Sequence, residues 1–180
     1  ATLLSITAHF MAFTYIEPFL RSGNGLSIGH LAPLLFAFGI AGLAGNFLTG
    51  ALIDSSLKTL LVGALIVSSA ALCCLSFAGP SAGVVLTAFM LVAWGGAVAA
   101  FLVGFQTWIL KEAGSAALPA SAIYVAIFNA AIGLGALLGS LVLNVSGLPQ
   151  VFLIAAIITG SSIFAMIALQ EPSPISTAAE

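Results

Sequence analysis

Long, continuously apolar stretches fill this chain, and formal charges interrupt them at only a few points. Between Arg21 and Asp54 lie 32 uncharged residues, between Lys58 and Lys111 lie 52, and between Glu112 and Glu171 lie 58. One membrane-crossing helix needs roughly 20 apolar residues. The first gap therefore holds one span plus a loop. Each of the other two holds a pair of spans parted by a breaker, AGPSAG at 78–83 and NVSGLPQ at 144–150. With the apolar opening ATLLSITAHFMAFTYIEPFL, the pattern predicts six helices, over about 1–20, 29–53, 59–78, 83–110, 120–143 and 149–169. A transmembrane β-barrel would show short segments of alternating polarity instead, so the expected class is an all-α membrane protein.

Composition removes the soluble alternatives. Charged residues make up 4% of the chain and hydrophobic ones 62%, with a mean hydropathy of +1.28, whereas an ordinary soluble domain is about a quarter charged. Eight acidic and basic side chains (Glu17, Arg21, Asp54, Lys58, Lys111, Glu112, Glu171 and Glu180) cannot cover a water-exposed surface. The lipid bilayer is thus the first partner. Nothing resembles the basic patch that nucleic acid requires. Cys73 and Cys74 point about 100° apart on a helix and read as packing. The tail at 171–180, EPSPISTAAE, reads as a disordered cytoplasmic extension, leaving 1–170 as one six-helix bundle.

Charge and internal order refine the topology. Lys58 and Lys111 are two spans apart and share one side of the membrane, while Arg21 falls on the other. The excess of cytoplasmic cations then puts Lys58, Lys111 and both termini in the cytoplasm of a multi-pass cell-membrane protein. Phe38–Asp54 lies on Phe128–Asn144 without gaps at an offset of 90 residues. Phe38/Phe128, Ala41/Ala131, Gly45/Gly135 and Leu48/Leu138 coincide. Three helices followed by three related helices of opposite topology is the nested inverted repeat of secondary transporters. Small residues recur every fourth position in both segments, at Ala41, Gly45 and Thr49 and at Ala131, Gly135 and Gly139, which lets helix backbones approach closely in lipid.

Candidate chemistry is sparse. No nucleophile elbow, zinc-protease motif, P-loop or paired-cysteine motif occurs, so no enzyme, cofactor or metal site is expected. His9 lies mid-span, and Glu17 follows eight residues later. Ionisable groups at membrane depth cost about 2.5–3.5 kcal/mol each, which makes them functional candidates. Both are candidates for substrate contact and for proton coupling, with Phe13 between them on the same helix. The plainer alternatives are a Glu17–Arg21 anchor at i+4 and a core histidine bonded to a neighbouring helix. Trp94, Phe101 and Gln106 in the fourth span, with Tyr124, Phe128 and Asn129 in the fifth, would line an uncharged cavity suited to an organic solute of moderate polarity. Trp108 beside Lys111 reads as an interfacial belt residue.

Three stretches carry a family resemblance. GNFLTGALIDSSLK, with Gly50, Asp54 and Lys58, resembles the cytoplasmic signature loop of the major facilitator superfamily, with Ser55 where a basic residue is expected. HFMAFTYIEPFL (9–20) resembles the seventh helix of its drug:proton antiporter-type permeases, and residues 104–143 resemble their tenth to eleventh helices. The resemblance implies the C-terminal six-helix half of a twelve-helix transporter, partnered by its N-terminal half. It further implies efflux of a small organic solute of the drug, sugar or nucleoside class in exchange for protons, with Gly50, Asp54 and Lys58 as a cytoplasmic gating loop. The competing expectation is a standalone six-helix channel or small transporter acting as an oligomer.

Overall fold

The structure, a computed structural model, describes residues 1–22, 26–53, 56–79 and 83–171. Among the described residues there are seven α-helices: α1 Thr2–Phe13, α2 Ile16–Arg21, α3 Ile28–Leu52, α4 Leu57–Ala78, α5 Val84–Ala113, α6 Ala117–Ser146 and α7 Leu148–Ala168. No strand occurs among the described residues. Among the described residues, four uninterrupted helical stretches are long and apolar enough to cross a membrane, namely Ile28–Leu52, Leu57–Ala78, Val84–Ser146 and Leu148–Ala168. The third is 63 residues long but folds back on itself. Gly114 adopts φ +50 at the start of a short 3₁₀ turn, Gly114–Ala116, a conformation that costs glycine little. The Tyr124 hydroxyl then donates to the Leu102 carbonyl at 3.0 Å, so α5 and α6 run side by side.

The opening stretch differs from the single helix expected over 1–20. It is divided into α1 and α2 at Thr14–Tyr15. The cause is Pro18, which has no N–H to return to the Thr14 carbonyl, so the helical ladder cannot run through. The Tyr15 N–H instead closes a tighter turn on Ala12 O at 3.2 Å. α2 restarts with Pro18 in its first turn, where a missing donor leaves nothing unsatisfied. Tyr15 also ties the break down, its hydroxyl donating to Ala136 O of α6 at 3.0 Å.

Helices pack with partners distant in sequence. α3 packs chiefly on α5, α1 on α6 and α7, and α4 on α5 and α7, while the consecutive helices α3 and α4 barely touch. Glycine allows the closest approaches. A Cβ added at Gly45 would stand 2.5 Å from Gly96 O, one at Gly95 2.4 Å from Phe38 O, and one at Gly135 2.6 Å from Thr7 O. At such distances backbones touch, and dispersion with Cα–H···O contacts replaces the hydrophobic drive that lipid does not supply. α1 is the most enclosed helix, with Ser5–His9, Met11 and Ala12 buried. Most of α3 and α6 presents apolar side chains outward, among them Phe36, Leu43 and Phe47 on α3 and Leu137 and Leu141 on α6.

Candidate functional site

Two adjoining features gather most of the residues singled out from the sequence. The first is an open cleft of about 540 Å³ between α3, α5 and α6. Gly39, Gly42 and Gly95 lower one wall, and the rings of Phe38, Tyr124 and Phe128 stand around it. Its polar contribution comes from two carboxamides, Asn46 on α3 and Gln106 on α5. Both are exposed and, among the described residues, bonded to no protein group. Amides left unpaired in an apolar wall retain their donors and acceptors for a ligand. Tyr124 differs, because its hydroxyl is already committed to Leu102 O.

The second feature is an aromatic cluster behind that cleft. His9 stacks under Phe13, with centroids 5.4 Å apart and planes at 29°. It meets Trp94 edge to face at 5.5 Å, with Phe10 at 4.9 Å and Phe101 at 6.4 Å. Trp94 also touches Phe38 at 5.0 Å and Phe152 at 6.2 Å. The helix order explains the gathering: α1 sits between α6 and α7, and its inner face at His9 meets α5 at Trp94 and Phe101.

Other expected residues fall elsewhere. Glu17 lies on α2 beyond the break, and its carboxylate accepts from Arg21 Nε at 2.6 Å with both side chains about half exposed. The Asn129 amide donates to Val125 O of its own helix at 2.8 Å, the usual refuge of a short polar side chain inside a helix. Trp108 turns inward and is 8% exposed, packed into the core rather than facing outward. In the expected gating loop, Gly50 is exposed with open space where a Cβ would stand, and Asp54 lies outside the described residues.

Lys58 reaches across to the end of α7, where its ammonium donates to Ile167 O at 2.8 Å and to Leu169 O. In the other direction, its backbone N–H donates to the Glu171 carboxylate at 3.1 Å. The two helix ends cap each other, a cation on orphan carbonyls and an anion on orphan amides.

Sequence reasoning missed Phe38 and Asn46 as site residues. Phe38 entered only as a repeat mate of Phe128. Asn46 sat unremarked in the glycine-rich signature stretch, although an amide amid 25 residues of apolar helix is a signal by itself. No group of three His, Cys, Asp or Glu residues among the described residues is placed to hold a metal ion.

Comparison with known proteins supplies the family. The model of the Major Facilitator Superfamily matches residues 1–180. A probable sugar efflux transporter of Mannheimia succiniciproducens is 33% identical over 163 residues, covering 90% of this chain and 40% of that protein. One from Haemophilus influenzae is 35% identical over 156 residues, covering 83% of this chain and 37% of the relative. One from Helicobacter acinonychis is 33% identical over 150 residues, covering 83% and 38%. The chain spans about two fifths of the length of the curated relatives it matches.

Proposed function

The chain belongs to the Major Facilitator Superfamily, a multi-pass membrane transporter rather than an enzyme, and from that premise we propose that it carries a sugar-sized neutral solute out of the cell. The observation that carries this reading is the 540 Å³ cleft, walled by Phe38, Tyr124 and Phe128 and furnished with the free carboxamides of Asn46 and Gln106. Amides grip hydroxyls by paired donor and acceptor, ring faces accept the C–H face of a pyranose, and no charge is present to demand a charged substrate. The relatives named above, each a probable sugar efflux transporter, point the same way.

The proposed architecture is six spans in two inverted triplets. The first span is α1 with α2, followed by α3 and α4, and the second triplet is α5, α6 and α7. Packing supports it. Applying the 90-residue offset to the Gly45–Gly96 contact gives Gly135 against Ile6, one residue from the Gly135–Thr7 contact found. In each triplet the middle helix packs on the leading helix of the other, as a two-fold axis in the membrane plane requires. We place Lys58, Lys111 and both ends of the chain in the cytoplasm and residues 1–170 in the bundle; the tail expected from the sequence lies, from 172 onward, outside the described residues. The outward apolar faces of α3 and α6 would receive the N-terminal half of the transporter. Proton exchange is the proposed energy source, with His9 the better placed of the two ionisable candidates because Glu17 is held by Arg21.

The test is counterflow of labelled D-glucose, D-galactose and D-xylose in proteoliposomes holding the full-length transporter. Replacing either amide, Asn46→Leu or Gln106→Leu, removes the hydrogen bonds a hydroxyl needs and should lower flux of the transported sugar about tenfold while the melting temperature holds. Full flux in both variants would refute the cleft as the solute site.

A further inference from the structure

We propose that His9 and Trp94 form an inner hydroxyl-binding subsite, closed off from the cleft by a movable cover made of the Phe13 and Phe38 rings. The inference rests on the solute-transport reading above and adds to it a second, occluded station for the solute.

Three observations converge. First, His9 is 5% exposed and Trp94 is fully buried, yet His9 Nδ1 and Trp94 Nε1 both lack a protein partner. Buried polar groups are nearly always bonded, and each exception calls for a ligand, a water or a reason. Second, the two groups are complementary neighbours. An indole N–H can only donate, and a neutral imidazole protonated on its other nitrogen accepts at Nδ1. Their rings are direct neighbours, edge to face with centroids 5.5 Å apart. A single hydroxyl, accepting from the indole and donating to the imidazole, would satisfy both.

Third, what separates this pair from the cleft is thin and apolar. Phe13 lies flat over His9, Phe38 abuts Trp94, and the two rings meet at 5.6 Å. Phe38 itself lines the cleft, and Phe13 is 39% exposed. Neither ring carries a polar bond, so turning about its side-chain torsions is enough to lift the cover. Phe10 and Phe101 close the remaining sides. The ring neighbours of the pair carry no formal charge, which suits a neutral occupant while the His9 imidazole is unprotonated. Stacking rings beside one donor and one acceptor fit a ring-bearing polyol better than a flat apolar drug, which would leave both nitrogens unpaired.

The experiment uses the full-length transporter in lipid nanodiscs, with D-glucose, D-galactose and D-xylose as probes. Trp94→Phe removes the donor and keeps an aromatic ring; His9→Phe does the same for the acceptor. Each should weaken binding of the preferred sugar about tenfold in protein that remains folded, with only a modest change in melting temperature as the resized ring is repacked. Unchanged affinity in both variants would mean that the pair holds only a water, and the subsite falls.

A second arm reads the cover directly. On a cysteine-free background, His9→Cys should react slowly with methyl methanethiosulfonate, and adding Phe38→Ala should speed the reaction at least tenfold. Equal rates would show that the two rings shield nothing. If the native protein binds none of the three sugars, the sugar reading is lost, and the inner station stands or falls on this labelling comparison.

Discussion

Replacing Gly45 by alanine is the sharpest perturbation the fold offers. The new methyl carbon would stand 2.5 Å from Gly96 O, 3.0 Å from its Cα and 3.1 Å from its carbonyl carbon. Carbon–oxygen contacts between helices settle at about 3.3–3.6 Å, so α3 and α5 must part by close to 0.8 Å locally. The obstacle is backbone, and no rotamer change relieves it. Forced separations of this kind cost about 1–3 kcal/mol. The gain from exchanging a helical glycine for alanine, about 1 kcal/mol, offsets only part of that. A net loss of up to about 2 kcal/mol is expected, readable as a lower melting temperature of the purified protein in detergent or as a lower midpoint in denaturing-detergent titration. Gly95→Ala and Gly135→Ala should behave alike, since their added carbons meet backbone at 2.4 and 2.6 Å. Gly133→Ala is the control, because nothing stands within 4 Å of its added carbon and the helix-propensity gain is unopposed. The reasoning is refuted if Gly45→Ala is as stable as Gly133→Ala.

Further expectations concern the caps and the anchors. Lys58→Met leaves the Ile167 and Leu169 carbonyls without their cation and should speed amide exchange at the end of α7, with a loss of about 1 kcal/mol given the partial exposure; protection equal to that of the native protein would contradict the cap. Tyr15→Phe removes the bond to Ala136 O and should cost about 1 kcal/mol in thermal stability, whereas an unchanged melting temperature would show that the ring alone secures the break. Glu17→Gln loses an exposed ion pair and should shift stability by less than about 1 kcal/mol while leaving the pH profile of transport intact. A flattened profile would return Glu17 to proton coupling.

Legibility from sequence divided along physical lines. Helices α3 to α7 begin and end within about three residues of the expected limits, because long apolar stretches flanked by glycine, proline and charge leave the backbone no alternative in lipid. The division of the first span was partly legible too, since Pro18 cannot return a bond to the Thr14 carbonyl, but apolar continuity masked it, and Pro33 sits inside α3 without dividing it. Helix pairing was largely illegible. Nothing local marks Gly45 as the partner of Gly96 rather than of α4, its successor in the chain. The cleft was half legible, with Gln106, Tyr124 and Phe128 found by type and Asn46 passed over. Asn129 misled for the opposite reason: the pattern shows an amide but not that its own helix has already claimed it.

The pairing of distant helices bears on how the chain is made. Gly45 meets its partner Gly96 51 residues downstream, and Thr7 waits 128 residues for Gly135. At ribosomal rates of about 5–20 residues per second those delays are about 3–10 s and about 6–26 s. During that interval α3 has almost no contact with α4, the only helix that has just followed it. Until those later helices arrive, the contact faces of α1 and α3 lack the partners within this chain that they hold in the finished fold.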